Sequence, residues 1–155
     1  MPSARGTVLP ILFGGALIGG LLSCKNVEDL PSPADIDGTW VYTETLADNL
    51  FQITCADTGT YTFNQDGPKF SGLFVQSGIC KNGMTKFFNT GHGLVTAGSV
   101  TNVRLQFTAA DLCAYTGQLS AAHDAVSAGT GVCDFVDSAS GRHYSMAINW
   151  SMARQ

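Results

Sequence analysis

The stretch Tyr144-Ser145-Met146-Ala147-Ile148-Asn149-Trp150-Ser151-Met152 alternates without a break: every even position is large and apolar, every odd one small or polar. A period of two over this length describes a β-strand with one dry face and one wet face. The same alternation recurs upstream. Trp40 and Tyr42 alternate with Thr39 and Thr43, Tyr61 and Phe63 with Thr60 and Thr62, and Val103, Leu105 and Phe107 with Arg104, Gln106 and Thr108. Turn vocabulary separates such runs at Asp66-Gly67-Pro68, Asn82-Gly83, Thr90-Gly91, Ala97-Gly98 and Ser140-Gly141. Strands at this spacing predict an all-β domain of about eight antiparallel strands, an up-and-down barrel, with a β-sandwich as the alternative.

Composition agrees with that class. Of 155 residues 45% are hydrophobic and only 13% charged, and 18 are glycine, a mixture poor in helix formers. The formal net charge is -4, and the basic residues Lys69, Lys81, Lys86, Arg104, Arg142 and Arg154 are scattered singly. No basic stripe is present to follow a phosphate backbone, so nucleic acid is not an expected partner.

The N-terminal part reads differently. From Val8 to Leu22 the chain carries no charge, and Pro10 and four glycines dilute the run. At about 15 residues it falls short of the roughly 20 that cross a bilayer as a helix, but it suits the apolar region of a signal peptide. It ends in Leu21-Leu22-Ser23-Cys24, which resembles the lipobox of bacterial lipoproteins. The resemblance implies that residues 1–23 are a signal peptide removed at Cys24, and that Cys24 carries the lipid holding the protein to a membrane. Lys25 stands where an inner-membrane retention signal would place Asp, so the implied address is the cell envelope, at the outer membrane. Residues 24–35, with Pro31 and Pro33, form a polar tether that could extend to roughly 35 Å, and the folded domain is expected over residues 36–155.

With Cys24 lipidated, Cys55, Cys80, Cys113 and Cys133 remain, an even set suited to disulfides in an oxidising envelope. Their spacing offers no C-x-x-C pair to seed a zinc site, so no metal is expected. Of three possible pairings, Cys55 with Cys80 and Cys113 with Cys133 is preferred, because each pair brackets one hairpin. A weak internal echo supports it: Phe63, Phe70-Ser71-Gly72 and Gly78-Ile79-Cys80 are matched by Phe107, Tyr115-Thr116-Gly117 and Gly131-Val132-Cys133.

Gly38-Thr39-Trp40 at the first strand and Arg154 at the end of the last resemble the calycin group of lipocalin-like and avidin-like barrels. There a Gly-x-Trp opens the first strand, and an arginine from the last strand covers the indole at the closed end. The resemblance implies that Trp40 and Arg154 pack together in this way, and that the barrel binds a small apolar or amphipathic ligand. Tyr42, Tyr61, Phe74, Gln76, Phe107, Tyr115 and Trp150 share the inward phase and are the candidate ligand contacts; Gly72 and Gly117 share it too. The alternative is an aromatic-filled barrel serving as a structural or interaction lipoprotein. No catalytic role or cofactor is expected. His92, His123 and His143 fall in expected loops, His123-Asp124 is read as solvated, no G-x-S-x-G elbow is present, and the aspartates, Asp57 among them, fall near expected turns.

Overall fold

The computed structural model describes residues 32–136 and 139–155. The expected signal segment, the lipobox-like stretch and Cys24 lie outside the described residues. Among those described there is no helix. Eight strands follow in chain order: β1 (Gly38–Asp48), β2 (Ile53–Asp66), β3 (Lys69–Asn82), β4 (Thr85–Thr101), β5 (Arg104–Ala109), β6 (Cys113–Gln118), β7 (Ala125–Val136) and β8 (His143–Arg154). Each pairs antiparallel with the next, and β8 returns to β1 with Trp40 opposite Arg154 and Ala47 opposite Ala147. The sheet is therefore a closed up-and-down barrel, not a sandwich.

The alternation of β8 decides which of its side chains enter: Met146, Ile148, Trp150 and Met152 are buried, and Ser145, Ala147 and Asn149 face outward. The turns at Gly67, Gly83 and Gly141 reverse the chain as read, each glycine with positive φ. Thr90-Gly91 and Ala97-Gly98 do not. Both lie within β4, which runs 17 residues without reversal. At Ala97 (φ 50°) the strand bulges and its register to β5 shifts between Thr96 and Ser99. The bulge changes the inward phase from Val95 to Gly98 and Val100. Conversely, the reversals at Asn102 and at Ala110-Asp111 contain no glycine and use positive φ at those residues. The histidines also differ from expectation: His92 lies within β4 and His143 opens β8, while His123 sits in the β6–β7 connection.

One end of the barrel is sealed. Trp40 is fully buried and its indole N–H donates to the Ile36 carbonyl at 2.9 Å. The Arg154 guanidinium lies 5.1 Å from the Trp40 ring centroid and pairs with Asp35 at 3.6 Å. Ala34 is buried and donates its N–H to the Asn102 carbonyl, while the Gln65 side chain accepts from Ile36 N and donates to the Ala34 carbonyl. Ala34 and Asp35, placed by sequence in the tether, thus belong to the barrel's seal.

Above the seal, aromatic rings fill the bore. Tyr61 stacks on Tyr42 at 4.3 Å and on Phe63 at 5.4 Å, Phe107 stacks on Tyr115 at 4.8 Å, and Phe70 and Trp150 meet Phe107 edge-on. Inward glycines make the room. A Cβ at Gly129 would stand 2.2 Å from the Trp150 ring, and one at Gly98 2.6 Å from that of Phe70. Glycines that read as punctuation in the sequence are holes for rings in the fold.

The far end is stapled. Cys55 lies directly opposite Cys80 on β2–β3, and Cys113 opposite Cys133 on β6–β7, and both pairs form disulfides. This is the pairing expected from the hairpin brackets.

The glycine pockets are testable. Gly129→Ala pushes a methyl into the Trp150 indole and is expected to lower stability by about 1–3 kcal/mol, the usual range for overpacking a core. Ala128→Gly on the exposed neighbour is the control for backbone entropy. Denaturant unfolding with intact disulfides checks both; equal stability of Gly129→Ala and wild type would mean that the indole does not occupy that space.

Candidate functional site

Where the rings stop, a cavity of about 710 Å³ begins. Leu46, Phe74, Phe135 and Met146 make much of its wall, and Gln76, Asn89 and Tyr115 contribute polar groups. Cys80, Cys113 and Cys133 also line it, so both disulfides staple its wall, and exposed Phe87 and Val136 stand at its lip. The space exists because inward positions at this end are small: Gly91 and Ala109 line it, and a Cβ at Gly91 would only touch the Gln76 side chain at 3.5 Å. Of the seven residues chosen from sequence as ligand contacts, Phe74, Gln76 and Tyr115 line the cavity. Tyr42, Tyr61, Phe107 and Trp150 do not; they are packed against one another in the filled half. Gly117 is likewise taken up by Trp150 and Val126.

At the boundary between filled and open halves lie two carboxylates that sequence reasoning missed. Glu44 on β1 and Asp57 on β2 are direct cross-strand partners, and each is 4% exposed. Tyr115 donates its hydroxyl to Glu44 Oε2 at 2.9 Å, and Asn89 donates its amide to Asp57 Oδ2 at 2.6 Å. Among the described residues Asp57 Oδ1 and the Tyr42 hydroxyl are buried without a hydrogen-bond partner. Gly78 leaves room for the Asp57 carboxylate; a Cβ there would stand 1.9 Å from Oδ1. A third buried acid, Asp48, is structural: it accepts from the N–H groups of Leu50, Phe51 and Ser145 and so holds the β1–β2 reversal to β8.

Burial governs the electrostatics. Removal from water pushes the Glu44 carboxyl up to about 7; the Tyr115 hydrogen bond opposes this and the charge of Asp57 adds to it. Asp57 is raised as well, by burial against the opposing bond from Asn89. Tyr42 and Tyr115 are held far from ionisation, by burial first and then by the charge of Glu44. The signal that could have found the pair is phase alone: Glu44 keeps step with Trp40, Tyr42 and Leu46, and Asp57 with Cys55, Tyr61 and Phe63.

Other candidate chemistry does not assemble. Asp124 accepts from Ser120 Oγ at 2.7 Å. Among the described residues no three His, Cys, Asp or Glu side chains group as metal ligands. No known protein family, curated protein or solved structure matches the chain.

The carboxyl shift has a sign. The folded barrel holds a proton on Glu44 to about pH 7, whereas the unfolded chain releases it near 4.5. The resulting stabilisation is full below the unfolded value and is lost as pH rises through the folded one, a loss of roughly 2–4 kcal/mol. Asp57 acts in the same direction. Glu44→Gln is expected to flatten the decline between pH 5 and pH 8 and to leave the barrel more stable than wild type at pH 8. Urea unfolding at both values checks this, and parallel pH profiles for the two proteins would rule out the shift.

Proposed function

We propose that this chain is an envelope lipoprotein, lipidated at Cys24 and held at the outer membrane, whose lipocalin-like barrel binds a small apolar or amphipathic molecule in its open half. The observation that carries the ligand reading is the cavity. At about 710 Å³ it falls within the few hundred to a thousand Å³ usual for small-molecule sites. Its apolar walls with a few convergent polar groups match what such sites use to seat and orient a ligand. The anchor reading is supported by Leu21-Leu22-Ser23-Cys24 after an uncharged run, and by two disulfides that suit an oxidising compartment.

A second reading, a lipoprotein that works by contacting another protein, is favoured by the outer wall of β3 and β4. There Leu73, Val75, Ile79, Phe88 and Leu94 are exposed, with Leu73 opposite Leu94 and Ile79 opposite Phe88. The cavity weighs against the filled barrel that this reading would otherwise imply.

Two measurements test these proposals. Native mass spectrometry of the protein purified from its envelope should show an added small-molecule mass that Phe74→Arg, placed to fill the cavity, abolishes; a bare mass or a protein-sized adduct would favour the second reading. Cys24→Ala should move most of the protein out of the membrane fraction, and its retention there would refute lipidation.

A further inference from the structure

We propose that a carboxylate floor beneath the cavity, behind Asn89 and Tyr115 of its wall, recognises a cation, so that the barrel's ligand is an amphipathic primary amine whose ammonium reaches in to Glu44 and Asp57 while its apolar body occupies the cavity. This rests on reading the cavity as a ligand site. The two carboxylates face each other across β1 and β2, both buried, and among the described residues no basic side chain pairs with them. Among the described residues every lysine and arginine is exposed, and Arg154, at the sealed end, pairs with Asp35. Buried carboxylates normally have cationic partners.

Hydrogen-bonding capacity narrows the class. Among the described residues Asp57 Oδ1 and the Tyr42 hydroxyl are buried with no hydrogen-bond partner, and Glu44 accepts on Oε2 from Tyr115. An ammonium carries three donors and no acceptor. It matches a Glu44 oxygen, Asp57 Oδ1 and the Tyr42 oxygen one for one, whereas an alcohol offers a single donor and a carboxylate none. Asn89 and Tyr115 connect this floor to the cavity, since each lines the cavity and holds one of the carboxylates. Asn89 keeps Asp57 Oδ2 and leaves Oδ1 for the ammonium. Phe74 and Tyr115 put aromatic rings in the adjoining wall, a surrounding that suits a cation, and an anionic headgroup would meet like charge.

The test is a matched series of naphthyl probes, 2-naphthylmethylamine, 2-naphthylmethanol and 2-naphthoate. They are titrated calorimetrically into the full chain in lipid nanodiscs, with protein-free nanodiscs subtracted. The amine should bind at least tenfold more tightly than the alcohol, and the carboxylate most weakly. Amine and alcohol within threefold of each other, or naphthoate the tightest, would overturn the cation assignment and leave the cavity reading standing; no binding of any probe would remove both. Asp57→Asn should bring the amine-to-alcohol ratio below threefold. Tyr42→Phe, which removes one oxygen and keeps the ring, should lower it severalfold in a barrel whose near-ultraviolet circular dichroism is unchanged. An unaltered ratio in both variants would overturn the proposal.

Discussion

Ring volume against bore width is the constraint on which the rest of the barrel depends. Eight strands enclose a space just wide enough to be filled by side chains or to hold one small ligand, and this chain directs most of its aromatic side chains inward. They fit because the residue paired with each on the neighbouring strand is glycine: Gly129 beside Trp150, Gly98 beside Phe70, Gly93 beside Phe74, Gly59 beside Tyr42. Dense packing of this kind tolerates no extra methyl group. The same device gives two results. Where Gly129 meets Trp150 and Gly98 meets Phe70 the bore is solid, and where Gly91 meets only the Gln76 side chain it is open.

The buried carboxylates sit where these halves meet, and on stability grounds they are a liability. Burying an acid without a cationic partner destabilises a fold, and well-packed apolar residues of similar size would serve better. The aromatic half supplies the stability to tolerate them: Tyr115, which holds Glu44, is itself clamped between Phe107 and Trp150. A polar group kept at such a disadvantage, beside a cavity and in step with the core, marks function more than architecture.

Much of this was legible in the sequence. Unbroken alternation in β8, and Trp40 and Tyr42 against Thr39 and Thr43 in β1, made both strands and their inward faces readable, because a two-residue period leaves no other geometry. The disulfides were readable because each pair brackets a hairpin. Other features were hidden for physical reasons. Glycine carries two meanings, turn or hole, and only the partner on the neighbouring strand separates them, so Gly91 and Gly98 were read as turns. The reversals at Asn102 and Ala110-Asp111 lacked glycine or proline to announce them. The bulge at Ala97 shifts phase within one strand, which no periodic reading carries across. Glu44 and Asp57 had the right phase, but carboxylates are rarely fully buried, and composition outweighed phase. Tyr42, Tyr61, Phe107 and Trp150 had the right face; depth along the bore, which decides between core and cavity, is set by register between strands.

Strict neighbour-to-neighbour order has a consequence for how the chain reaches this state. Seven of the eight ladders join strands adjacent in sequence, and both disulfides lie inside such hairpins. Oxidation of each pair needs only its own hairpin and none of the barrel. Almost all of the long-range ordering entropy therefore falls on one seam, β1 against β8, where Trp40 meets Arg154 from opposite ends of the domain. The covalent framework can be complete while the cylinder is still an open ribbon, and the final topological act is also the one that seals the indole beneath its arginine.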